Sequence, residues 1–301
     1  MIWLLTASLL WGPSFGLIPI LMREPGMNAY TLAFFRMTYA LILFLPLLRI
    51  HEITRRKRLL LTLIGAVQFG GMYVFLNLAY AHLLGYEVAM VTVFTPIYVT
   101  LLDGLFRKKH ASLLPWICVL LAVLGAMIIQ YARPPESEGF WMGFGIMQLA
   151  NLCFAFGQVA YRDLLPSLRS FGDMYVFGWL YLGGVLLTGA AFLLWGEPAQ
   201  SLPALREMSL TGWGILLWLG LVPSGLAFFL FNHGALVTHP ATLSIFNNLK
   251  IPLAMIVVLL LFRQWDAVSS WPRFLLGSGL MCAALAWNHF RTPRAVQNSV
   301  L

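Results

Sequence analysis

The sequence predicts an all-α integral membrane protein of about ten transmembrane helices in two inverted five-helix repeats. Three observations predict it. The 301 residues are 60% hydrophobic and only 10% charged, whereas a soluble domain is about 25% charged. The apolar residues fall in runs of about 20, the length that crosses a hydrocarbon core about 30 Å thick. Lys and Arg gather in alternate loops, as they do in cytoplasmic loops of membrane proteins. The net charge of +8 is therefore a topological signal, and nucleic-acid binding is its weaker reading.

In chain order the spans are read at 2–22, 29–49, 59–83, 86–106, 112–131, 140–161, 173–195, 209–232, 240–262 and 270–290. The first, beginning "MIWLLTASLLWGPSFG", lacks a basic leader and a convincing cleavage site, so it reads as a retained helix. Gly12, Pro13, Gly16 and Pro19 weaken that helix so that it bends. "GPSFG" fits G-x-S-x-G, but it sits in an apolar helix with no strand before it, so Ser14 does not read as a nucleophile. "VPSG" at 222–225 weakens the eighth span in the same way. Short connections carrying Pro, Gly or charge separate the spans.

Orientation follows from the basic residues. With a cytoplasmic N-terminus, the inside loops and tail hold Arg49, Arg55, Arg56, Lys57, Arg58, Arg107, Lys108, Lys109, Arg162, Arg169, Arg291 and Arg294. The outside loops hold only Arg23, Arg133, Arg206, Arg263 and Arg273. Both termini are thus expected in the cytoplasm, in a bacterial-type inner membrane. Arg36 and Lys250 are left over, and both lie within spans.

A shift of 156 residues lays the third and fourth spans on the eighth and ninth. Phe75 then meets Phe231, Ala79 meets Ala235, Pro96 meets Pro252, and "LFR" at 105–107 meets "LFR" at 261–263. Five helices per half divide the chain into 1–134 and 135–301. An odd number of crossings inverts the second half, an arrangement common in secondary transporters.

The stretches "LLWGPSFGLI", "FFRMTYALILFLPLL" and "LAYAHLLGYEVAMVTVFTPIYVTLLDGLF" occupy the first four spans, and "GALVTHPATLSIFNNLKIPLAMIVVLLLF" echoes the last of them. Together they resemble the drug/metabolite transporter superfamily, specifically its EamA-type ten-helix members, over essentially the whole chain. Members often carry a Gly-Glu pair after the fourth and ninth spans; this chain has "FRKKHAS" and "FRQWDAV" there. The resemblance implies a transporter, with export slightly favoured.

Candidate site residues come from polar groups inside apolar spans. Lys250 is about ten residues into the ninth span, roughly 15 Å deep at 1.5 Å per residue, near the bilayer midplane. Asn247 lies one turn back, and Pro252 loosens the helix around it. Arg36 is about seven residues into the second span. Intramembrane cations face a cavity or a partner, so two readings are open: binding an anionic substrate, or pairing with carbonyls or a carboxylate such as Asp103. In the sixth span Gln148, Asn151, Ala155, Gln158 and Arg162 share one face. That face is either helix–helix glue or the wall of a wet cavity. Phe69, Tyr73, Asn77 and Tyr80 form a comparable face of the third span, suited to core packing or to holding a small organic body. Pro96 breaks the fourth span, and Thr92 and Thr95 compensate its ladder or face the cavity. His233 ends the eighth span and is a candidate gate or proton carrier. The histidines and the three cysteines show no metal spacing, so neither metal nor cofactor is expected.

The expected function is secondary transport, toward export, of a small carboxylate-bearing metabolite such as an amino-acid-like compound or an organic acid. The resemblance implies the transporter, and the basic midplane points to the carboxylate. Two alternatives stay open. A proton-coupled exporter of lipophilic cations expects a buried carboxylate in a span, and an intramembrane enzyme expects a catalytic set. The sequence supplies neither.

Overall fold

The computed structural model of the chain describes residues 2–49, 52–84, 87–88, 91–107, 113–130, 137–164, 167–168, 172–236, 238, 245–246, 248–249, 251–253, 256 and 270–291. Among them there are helices and no strands. Six helical spans are long and apolar enough to cross a membrane: Ile2–Leu21, Ala29–Leu47, Arg55–Ala79, Phe140–Leu164, Met174–Trp195 and Leu210–Leu236. Shorter apolar helices lie at Thr92–Phe106 and Val119–Ile129. Their outer faces carry exposed Leu, Ile and Trp, such as Leu149, Leu193 and Trp141, which suits a multi-pass protein whose solvent is lipid.

The elements are α1 (Ile2–Trp11), α2 (Ser14–Leu21), α3 (Ala29–Phe44), α4 (Arg55–Gly65), α5 (Met72–Ala79), α6 (Thr95–Arg107), α7 (Leu113–Gln130) and α8 (Phe140–Leu164). They continue as α9 (Asp173–Trp195), α10 (Pro198–Ala204), α11 (Leu210–Leu219), α12 (Phe228–Leu236) and α13 (Trp271–Arg291). The first expected span breaks into α1 and α2 at Gly12–Pro13, where the proline ring cannot continue the ladder. Asn28 caps α3, its side chain accepting the backbone N–H groups of Tyr30 and Thr31. Pro96 sits at the start of α6, behind a 3-10 turn at Thr92–Phe94. Pro96 has no N–H for the Thr92 carbonyl, and the Thr95 hydroxyl donates to that oxygen at 2.7 Å. The ninth expected span is described only at a few positions, including a buried Pro252; Asn247 and Lys250 lie outside the described residues.

Two spans contain π-helical segments that apolar periodicity did not indicate. Ala66–Gly71 joins α4 to α5, and Gly220–Ala227 joins α11 to α12. The 156-residue shift that aligns the prolines carries 66–71 onto 222–227, inside the second segment. π segments are rare and are frequently found at functional sites.

Glycines set the closest helix contacts. A Cβ added to Gly65 on α4 would collide with the Leu180 carbonyl on α9, and one on Gly183 would collide with the Thr62 carbonyl. Gly125 on α7 and Gly277 on α13 approach each other backbone to backbone in the same way. Small residues at such crossings are how helices associate where lipid supplies no hydrophobic drive.

Candidate functional site

A partly open cavity of about 90 Å³ lies inside the bundle. Trp11, Ser14, Phe15 and Ile18 line it from α1 and α2, Arg36 from α3, and Met72, Tyr73, Leu76 and Tyr80 from α5 and its end. Thr92, Thr95, Met147, Ala150, Asn151, Phe154 and Phe228 complete the wall. Ile18, Tyr80, Thr92 and Met147 place it in the half of the bundle nearest the 22–28 and 80–91 connections. In the opposite half Phe44, Phe69, Tyr161, Phe177, Tyr181 and Phe229 pack ring against ring, with centroids 5.0–5.9 Å apart. This aromatic block meets the lining residue Phe228 through Phe69, with ring centroids 5.1 Å apart.

Arg36 is the charged member of the wall and is only 2% exposed. Its Nε donates to Ser224 Oγ at 2.9 Å and its Nη2 to Tyr73 Oη at 3.0 Å. Its Cζ stands 4.2 Å from the centre of the Tyr73 ring, a cation–π contact. Both hydrogen-bond acceptors are neutral, and Asp103 is not one of them. Its Nη1 has no hydrogen-bond partner. The Ser14 and Tyr80 hydroxyls in the same wall are likewise buried and unpartnered. A buried cation with an unsatisfied donor is costly unless an acceptor completes it. The rest of the lining is largely aromatic and apolar.

Of the residues singled out from the sequence, Arg36, Tyr73, Tyr80, Thr92, Thr95 and Asn151 come together on this cavity. Asn151 also holds α8 to its neighbours, donating to the Val91 carbonyl at 2.9 Å, and its Oδ1 stands 3.0 Å from Thr95 Oγ1, sharing that hydroxyl's proton with the Thr92 carbonyl. Gln148 is half-buried and accepts from Tyr98 Oη at 3.0 Å. Gln158 is buried on α8 but is not part of the cavity wall. Asn77 donates to the Ala29 carbonyl at 3.1 Å, tying α5 to the start of α3. His233 packs edge-on against Trp3, with centroids 5.3 Å apart, and lies away from the cavity wall.

Ser224, Tyr181 and Trp11 escaped the sequence reading as site residues. Tyr181 Oη lies 2.7 and 2.6 Å from the Ser224 and Gly225 carbonyls, which share its single proton. Trp11 Nε1 donates to the Pro223 carbonyl at 3.0 Å. The available signal was "VPSG" itself, a proline beside a hydroxyl in an apolar span.

A model of the EamA-like transporter family matches residues 1–131. The chain is 35% identical over 298 residues to the "Biotin transporter" of Salmonella typhimurium strain LT2, covering 98% of this chain and 95% of that protein. It is 34% identical to the "Biotin transporter" of Escherichia coli strain K12, with the same coverage. It is 36% identical over 284 residues to the "Probable biotin transporter" of Pseudomonas aeruginosa, covering 94% of this chain and 95% of that one. A solved crystal structure 15% identical in sequence superposes with a TM-score of 0.72 over 98% of this chain and 97% of that one, so the two share a fold.

Proposed function

Since this chain belongs to the EamA-like transporter family, we propose that it carries biotin across the bacterial cytoplasmic membrane as a carboxylate anion. One observation carries the choice of a carboxylate: Arg36, buried on the cavity wall, keeps Nη1 free while its acceptor partners are neutral. Biotin joins a carboxylate to an apolar chain and a bicyclic head with a cyclic urea. The carboxylate would meet Arg36, the apolar parts would lie against Trp11, Phe154 and Phe228, and the urea would find the Ser14 and Tyr80 hydroxyls. The names of the relatives support the same ligand.

A lipophilic-cation exporter fits this wall poorly, since a cation would face Arg36 with no carboxylate among the described lining residues. An enzyme fits poorly as well, since the Ser14 hydroxyl has no hydrogen-bonded base among the described residues.

The proposed architecture is ten helices in two inverted halves with both termini cytoplasmic. The coincidence of the π segments and the loop charges support it. In that orientation the cavity lies in the outer half and the aromatic block in the inner half. Reporter fusions at the C-terminal tail and after Arg133 test the topology; a periplasmic tail or a cytoplasmic 132–138 loop would overturn it. The function is tested by movement of labelled biotin in both directions through proteoliposomes, with biotinamide and a lipophilic cation as competitors. Biotin should move and compete, and biotinamide should compete poorly. Movement of the cation without movement of biotin would overturn the proposal.

A further inference from the structure

We propose that Ser224, which does not line the cavity, is the positioning residue that aims the Arg36 guanidinium and so sets the preference for a carboxylate. The proposal rests on the carboxylate reading of Arg36 and deepens it.

Counting protons fixes the network. Ser224 has one hydroxyl proton, and its Oγ donates to the Leu219 carbonyl at 2.7 Å. Pro223 lacks the N–H that would approach that carbonyl from four residues on, which opens it to the hydroxyl. With its proton committed, Ser224 Oγ can only accept at its other contacts. It accepts from Arg36 Nε at 2.9 Å, so the 2.9 Å contact with Tyr73 has Tyr73 Oη as donor. Tyr73 Oη, having given its proton, accepts from Arg36 Nη2 at 3.0 Å. Two edges of the guanidinium are thus held by neutral acceptors, and Nη1 is left for the cavity. A planar guanidinium fixed at Nε and Nη2 cannot turn Nη1 away.

The anchor is itself held. Trp11, Tyr181 and Ser224 hydrogen-bond carbonyls at positions 219, 223, 224 and 225. Ser224 is fully buried. Side chains of α1, α3, α5 and α9 therefore converge on one π segment, and Ser224 connects that segment to the charge.

The test measures equilibrium binding of labelled biotin and of biotinamide to the purified full chain in nanodiscs. Wild type should prefer biotin. Ser224→Ala should weaken biotin about 10- to 100-fold, the loss expected for hydrogen bonds to a charged group, and leave biotinamide within about twofold. Ser224→Thr, which keeps the hydroxyl, should restore part of the preference. In an Arg36→Gln background, Ser224→Ala should change biotin binding no further, because its effect runs through Arg36. A merely structural role would instead weaken both ligands together, or add to the Arg36→Gln loss, and either result overturns the proposal. If Ser224→Ala does not yield folded protein, Ser224→Cys keeps the volume, weakens the same bonds and carries the same comparison. The two proposals fail differently. No preference for biotin in wild type removes the carboxylate reading, whereas a wild-type preference that survives Ser224→Ala removes the role of Ser224 alone.

Discussion

Gln68 and Asn232 meet amide to amide in the buried interior. Gln68 Nε2 donates to Asn232 Oδ1 at 3.1 Å, and the return contact measures 3.5 Å. The first is a well-formed bond and the second is at the limit of one. Gln68 belongs to the first π segment and Asn232 to α12, so the pair joins early and late parts of the chain.

Removing either amide strands the other. Gln68→Leu and Asn232→Leu should each destabilise the protein in detergent by about 1–2 kcal/mol. The double variant should lose less than the two combined, by about 0.6–1.7 kcal/mol, the coupling found for interhelical pairs in membranes. Chemical or thermal unfolding of the four proteins measures the cycle. Strictly additive losses would show that the amides do not support each other.

Arg36→Gln should weaken biotin binding about 10- to 100-fold, because it removes a charged donor from a buried wall. Arg36→Lys should recover little of it. An ammonium keeps the charge but cannot reach Ser224, Tyr73 and the cavity with one planar fork. Binding isotherms on folded protein decide the case; wild-type affinity in Arg36→Lys would show that charge alone suffices.

The polar face of α8 divides. In a background without native cysteines, Asn151→Cys should react with a small water-soluble thiol reagent and be protected by biotin, because Asn151 lines the cavity. Gln158→Cys, buried away from that wall, and Leu149→Cys, on the lipid side, should react slowly. Equal rates at the three positions would mean that the face is not sorted in this way.

Glu24 accepts the hydroxyl and the backbone N–H of Ser209, and these bonds hold its carboxyl below the usual value of 4.5, the side-chain bond first. A carboxylate whose folded value is depressed adds stability above its unfolded value and loses it as pH falls through the folded one. The wild type should therefore be more stable than Glu24→Gln at pH 7, and the gap should close below pH 4.5. Melting curves of both proteins across that range measure it; a gap independent of pH would refute the linkage.

Lys250 lies outside the described residues, and its proposed role is the one read from the sequence: an ammonium that meets a substrate carboxylate near the midplane. Lys250→Ala should abolish biotin transport while folded protein accumulates. Lys250→Met transporting at the wild-type rate would end that role.

Much of the architecture was legible because membrane spans are written in composition. The run 173–195 coincides with α9, and 112–131 differs from α7 by one residue at each end. Arg36 stood out because a guanidinium in an apolar span has few uses. The π register was not legible, since it depends on which helices press against the segment and not on the local pattern. Ser224 was hidden for a related reason. A serine in an apolar helix reads as packing until its partner is known, and Arg36 lies 188 positions away. Gln158 and Asn77 illustrate the converse: periodicity placed them on polar faces, but a helix face touches several neighbours and only part of it meets the cavity.

The glycine crossing of α4 and α9 leaves no layer of side chains between the two helices. Backbone lies against backbone at Gly65 and Gly183. One helix comes from residues before 134 and the other from residues after it, so the contact ties distant parts of the chain. A side chain added at either glycine would have to push the two helices apart.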